Sequence, residues 1–94
     1  MHGVIVQVRV DGDREEQARS VLREVVVPSA KALDGFVGGT WLRALEGEGG
    51  RGVLLFESEE AARAAAEHIR SEGPPPAAPV TMESVDVYEV MAQA

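Results

Sequence analysis

Val4, Val6, Val8 and Val10 alternate with Ile5, Gln7 and Arg9 at the start of the chain. A period of two with one wholly apolar side and one mixed side predicts a strand. The period changes after Asp11-Gly12-Asp13. Ala18, Val21, Leu22, Val25, Val26, Ala30 and Leu33 recur at helical spacing, so residues 14 to 33 read as an amphipathic helix. Asp13 followed by Glu16 has the form of a capping box. Pro28 cannot donate to the Glu24 carbonyl, which predicts a kink or break there.

The stretch from Asp34 to Ala66 organises the rest. Gly35 suits the left-handed position that ends a helix. Phe36 to Leu45 is dominated by Phe, Val, Thr, Trp and Leu and predicts a second strand. Gly47, Gly49 and Gly50 supply a reversal. Val53 to Phe56 is apolar at every position, as in a third strand buried on both faces. Ser58 caps a second helix, with Glu59 and Glu60 in its first turn, where the helix dipole favours negative charge. On this helix Ala62, Ala65, Ala66 and Ile69 share one face, with Arg63, Glu67 and Arg70 opposite. That inward face is nearly all alanine, so the helix either lies close to the sheet or leaves space beneath it. Gly73 ends it, and residues 74 to 79 form a stiff proline-rich connector. Ser84 to Met91 reads as the last strand, Val85 and Val87 on one face and Tyr88 and Val90 on the other.

Strand, helix, strand, strand, helix, strand is the split pattern of the ferredoxin-like α+β class. The expectation is one four-stranded antiparallel sheet in the order 4-1-3-2, the all-apolar third strand inside, with both helices on one face. Strands one, three and four carry apolar residues on both sides, so the face without helices needs a cover. A second copy of the same sheet is the simplest one, which predicts a homodimer with Ile5, Gln7 and Arg9 turned to the partner.

Composition narrows the chemistry. With 94 residues there is one domain, 1–94, and without cysteine there is no disulfide, thiolate metal site or thiol nucleophile. A net charge of −7 without a basic cluster argues against nucleic acid and against an anionic membrane surface. No signal peptide is read at the N-terminus and no apolar run approaches the ~20 residues of a membrane helix, so a cytoplasmic location is expected. The glycines at 47, 49 and 50 lead from strand to strand with no GK[ST] behind them, unlike a phosphate loop. Glu59, Glu60, Glu67 and Glu72 are spread around a helix and read as a solvated face. No metal and no cofactor is expected.

The segments Asp34-Gly35-Phe36, Phe56-Glu57-Ser58-Glu59-Glu60-Ala61 and Val87-Tyr88-Glu89-Val90, with the element order and length, resemble the dimeric α/β-barrel proteins of the antibiotic-biosynthesis-monooxygenase type. The resemblance covers most of the chain and rests on strand and cap signals more than on catalytic ones. It implies a homodimer that binds a small apolar or aromatic ligand, with cofactor-independent oxidation of aromatics or quinols as one activity of such proteins and haem degradation as another. A non-catalytic ligand-binding or regulatory dimer is the alternative. In the haem-degrading branch the resemblance sets a tryptophan at the end of strand three, a histidine on helix two and an asparagine on strand one. By that matching Phe56 and Ala66 stand at the first two positions and Val6 or Gln7 at the third, so haem breakdown is not expected.

Two residues carry the catalytic expectation. His68 is the only histidine besides His2 and lies on the flank of the alanine face, as a base at a cleft mouth, since imidazole titrates near neutrality. Tyr88 could donate a hydrogen bond to a substrate oxygen. A ligand cleft is expected between helix two and the sheet, bounded by Ala62, Ala65, Ala66, Phe56 and Trp41, if that helix stands off. Each has a plainer use: His68 as a surface group near Glu72, Trp41 as a packing anchor, Tyr88 as a strand tyrosine with its hydroxyl in water.

Overall fold

The computed structural model describes all of residues 1–94. Its strands are β1 (His2–Val10), β2 (Phe36–Arg43), β3 (Gly49–Phe56) and β4 (Val80–Glu89). The sheet order is β2-β3-β1-β4, every neighbouring pair antiparallel. This is the expected ferredoxin-like arrangement, with β3 and β1 inside.

The register fixes the faces. Val4 lies opposite Leu54 and Val87, and Val6 opposite Gly52 and Val85. These positions turn toward the helices together with Phe56, which meets Phe36 edge-on at 5.9 Å between ring centres. Ile5, Val53, Thr40 and Asp86 align across the other face, as do Gly3, Leu55, Gly38 and Tyr88. No helix covers that second face.

Strand limits differ from the sequence reading in informative ways. The reversal lies at residues 44–48, and of its expected glycines only Gly47 adopts a left-handed backbone, at φ 83°. Gly49 and Gly50 belong to β3 instead. β2 stops at Arg43, two residues short of Leu45. β4 starts at Val80 and ends at Glu89, because pairing with β1 holds the backbone extended from the end of the proline connector onward.

The first helical stretch is not one regular helix. Asp11 accepts from the Asp13 N–H and opens a single 3-10 turn, Gly12–Arg14. The capping box expected from Asp13 and Glu16 does not form, because the cap falls two residues earlier. Then come α1 (Glu15–Val21), a π-helical segment (Leu22–Val26) and α2 (Val27–Lys31). Pro28 sits in the first turn of α2 and has no N–H to give the Glu24 carbonyl. The Val27 N–H reaches back to the Leu22 carbonyl, five residues away, and the helix widens instead of breaking.

The second helix, α3 (Glu59–Glu72), follows its sequence signals closely. Ser58 accepts from the Ala61 N–H at 3.1 Å, and Gly73 ends the helix at φ 68°. Gly35 is confined twice, by a φ of 74° and by the Ala61 methyl, which a Cβ would approach to 2.7 Å. No helix is long and apolar enough to cross a membrane.

Candidate ligand site

The helices sit on the sheet at different heights. Ala62 and Ala66 are 0 % exposed and Ala65 is 4 %, packed in one cluster with Val4, Leu54, Phe56 and Val85. Alanine has no side chain beyond Cβ, so α3 drops onto β1, β3 and β4, and the space expected beneath it is closed. Arg70 helps to hold it there by donating to the Val85 carbonyl at 2.8 Å.

The open space lies under the first helical stretch. A cavity of about 780 Å³ separates that stretch from the sheet. Val6, Val8, Trp41, Leu54 and Met82 form its floor, and Ala18, Leu22, Val26 and Leu33 its roof. Pro74, Pro75 and Pro76 wall one end, held in place where the Gln17 amide donates to the Ala77 carbonyl at 2.8 Å. Large branched side chains keep the roof off the floor, and the π segment supplies Leu22, Val25 and Val26 to it. Volume and apolar lining match those of small-molecule sites, typically ~300–1,000 Å³.

Trp41 owes its position to glycine. A Cβ on Gly39 would come within 2.9 Å of the indole ring, and one on Gly52 within 3.0 Å of Cδ1 and Nε1. The ring therefore lies over two residues without side chains and presents an aromatic surface to the cavity.

Of the expected site residues, Trp41 and His68 both line this cavity. His68 is exposed at its rim beside Ile69, and no ion pair joins it to Glu72. Phe56, Ala62, Ala65 and Ala66 do not line it; they are sealed in the core beside it. Tyr88 is 47 % exposed and aligns with Gly3 and Leu55 on the face without helices, so the sheet separates it from His68. The expected pair of His68 and Tyr88 is thus not brought together within one chain.

A charged cluster at the mouth was not foreseen. One oxygen of Glu15, Oε1, accepts from Arg19 at 2.9 Å and lies 3.2 Å from the Arg43 Nε. The Arg19 hydrogen bond first, and then the charge of Arg43, hold the Glu15 carboxyl below the usual carboxylate range. The Glu15–Arg19 half was readable as an i,i+4 pair. The Arg43 half depends on how α1 lies over β2, which no local pattern states. No group of three or more His, Asp or Glu side chains is placed to hold a metal ion.

No family model matches the chain, and no curated protein matches it in sequence. Solved structures do. MhuD, a haem degrader from Mycobacterium tuberculosis with two haems in its active site, superposes with a TM-score of 0.78 at 22 % identity, over 100 % of this chain and 99 % of that one. A protein of Deinococcus radiodurans named for antibiotic biosynthesis monooxygenases superposes at 0.67 with 12 % identity, over 100 % and 96 %. A Streptomyces coelicolor monooxygenase from the ActVA-Orf6 gene, in complex with nanaomycin D, superposes at 0.62 with 16 % identity, over 99 % and 89 %. End to end, this chain has the ferredoxin-like fold shared by the antibiotic-biosynthesis monooxygenases and MhuD.

Proposed function

We propose that this protein binds a small planar apolar or aromatic molecule in the cavity under the first helical stretch, working as a homodimer in the cytoplasm. The observation that carries the reading is the cavity itself: about 780 Å³, apolar on floor and roof, with the sole tryptophan lying across a glycine shelf in its floor. The structural neighbours that hold haem and nanaomycin D support a planar ligand by analogy of fold.

The homodimer rests on what the single chain leaves uncovered. Hydrophobic residues make up 45 % of the sequence, yet only 12 of 94 residues are buried. Ile5, Val53 and Leu55 are only half-buried on the face without helices, and Leu42 and Tyr88 there are exposed. A sheet-to-sheet contact would remove this surface from water, and obligate interfaces commonly bury more than ~2,000 Å². Light scattering should give twice the 10.0 kDa chain mass; a particle of 10.0 kDa at micromolar concentration refutes the dimer.

As an enzyme the protein would be an oxidoreductase of electron-rich phenols or quinols, which reduce oxygen themselves once deprotonated. His68, the one imidazole lining the cavity, would be the base. The placement of Tyr88 across the sheet favours the second reading, a non-catalytic binding dimer, because it removes one of the two expected catalytic groups from the cavity. Oxygen uptake with a panel of hydroquinones, in the parent and in His68→Ala, separates them. Uptake that saturates with substrate and falls at least ~10²-fold in the variant supports the enzyme; uptake equal to a protein-free control supports the binding dimer.

A further inference from the structure

We propose that the cavity selects an anionic ligand, an apolar aromatic acid whose carboxylate rests on Arg19 and Arg43 at the mouth while its ring lies against Trp41. This rests on the reading of the cavity as a ligand site and adds the charge of its occupant.

The argument is one of unequal pairing. Arg9, Arg63 and Arg70 pair with Glu83, Glu59 and Glu67, one carboxylate to each guanidinium. Only at Glu15 do two guanidiniums share a single carboxylate, and both approach the same oxygen. The cluster therefore holds one positive charge in excess, in a chain whose net charge is −7. All three residues line the cavity, and all three side chains are more than a third exposed, which sets them at its mouth.

Donors remain for a second anion. Arg43 donates Nη1 to the Ala44 carbonyl and sets its Nε 3.2 Å from the Glu15 Oε1 as an ion pair, while Arg19 donates Nε and Nη2 to Glu15. The Arg43 Nη2 and the Arg19 Nη1 donate to nothing in the chain. A guanidinium edge presents planar donors that suit a carboxylate. From α3 the lining receives Glu72 and no arginine, and the remaining lining arginine, Arg51, aligns with Gln7 and Leu42 on the face without helices. An acid would therefore enter with its charged end toward α1 and β2 and its ring toward the floor.

The test compares 2-naphthoate with 2-naphthamide, the same ring with and without the charge. Both are titrated against the fluorescence of Trp41, the sole tryptophan. The parent should bind naphthoate about tenfold more tightly than the amide at low salt, the usual worth of hydrogen bonds to a charged group. The preference should shrink in Arg43→Gln and in Arg19→Gln and vanish in the double variant, while amide binding stays within about twofold. Glu15→Gln, which removes the competing carboxylate, should raise the ratio of naphthoate to amide affinity above that of the parent. Equal binding of acid and amide by the parent overturns the anion selection and leaves the cavity reading standing. A preference that survives in the double variant overturns the assignment to these arginines. Saturable binding of neither compound overturns both the cavity reading and the selection built on it.

Discussion

The two helical layers cover the same face of one sheet and reach opposite results. α3 is regular, capped at both ends and alanine-lined, and it closes on β1, β3 and β4 without a gap. The first helical stretch changes its hydrogen-bonding pattern three times in twenty residues, from Gly12 to Lys31, and presents Leu22, Val25 and Val26. It packs substantially only against β2, through α2, and the rest of it spans the cavity. Side-chain size decides the contrast. Small residues let backbones approach until the layer is sealed, whereas large ones on an irregular helix prop it away. Sealing stabilises the domain, and propping leaves a place for a ligand.

The contrast breaks first at Phe56. It is fully buried in the sealed half and supports Phe36 edge-on. Phe56→Ala is expected to cost about 3–5 kcal/mol, the usual loss for a buried phenylalanine. A urea titration checks this, and a loss under 1 kcal/mol would mean that the core lies elsewhere.

The same logic distinguishes two alanines. Ala62 is fully buried and does not line the cavity, so Ala62→Leu overpacks and should cost about 1–3 kcal/mol. Ala18 faces the cavity, where leucine has room, so Ala18→Leu should stay within about 0.5 kcal/mol. Ala18→Leu should instead weaken naphthoate and naphthamide alike, because it fills volume. Equal destabilisation by both substitutions would show that the two halves do not differ.

Haem sharpens the contrast further. The positions matched to the tryptophan and histidine of haem degraders, Phe56 and Ala66, are both in the sealed half at 0 % exposure. Neither can reach a molecule in the cavity. Purified protein given haem and a reductant is expected to keep its Soret band; bleaching with release of iron beyond a protein-free control would refute this.

The sealed half was the legible half. Strand periodicity, the Ser58 cap, the closing Gly73 and the all-apolar β3 are local signals, and together they gave the sheet order and the helix face. The alanine face admitted two outcomes, contact or cleft, and only the heights of the two helices settle which. The cavity was hidden because it needs the π segment that precedes Pro28, a residue that in the sequence signals only a kink or break, and a roof and floor that are far apart in the chain. Trp41 and Gly39 could be related along one strand, but the second half of the shelf, Gly52, comes from β3 through the register. The exposed face of the sheet was legible as a need for cover, since strand alternation alone gives it.

The smallest expected effect compares a carboxylate from each half. Glu15 and Glu59 are both held below the usual carboxylate range, each chiefly by a hydrogen bond from the arginine four residues on, Arg19 and Arg63. Glu15 gains next from the charge of Arg43 on another element, Glu59 from that of Arg63 itself. A group whose folded value is lowered binds protons more readily when unfolded. Its stabilisation is full above the unfolded value, about 4.3, and is lost as pH falls through the lowered one. Stability should therefore decline on the acid side of that value, and modestly, because both groups are solvent-exposed and screened. Urea midpoints from pH 6 down to pH 3 measure the slope, and Glu15→Gln and Glu59→Gln should each flatten it. Glu15 ties α1 to β2 across the mouth, so its protonation should also loosen the propped half, seen as faster amide exchange in α1. Glu59 staples the first turn of α3 and lies 3.8 Å from the His2 Nε2 at the start of β1, with no contact to α1, so its protonation should leave α1 unchanged. If Glu59→Gln speeds exchange in α1 as much as Glu15→Gln does, the two halves are one cooperative unit and the Glu15 bridge has no separate part in holding the mouth.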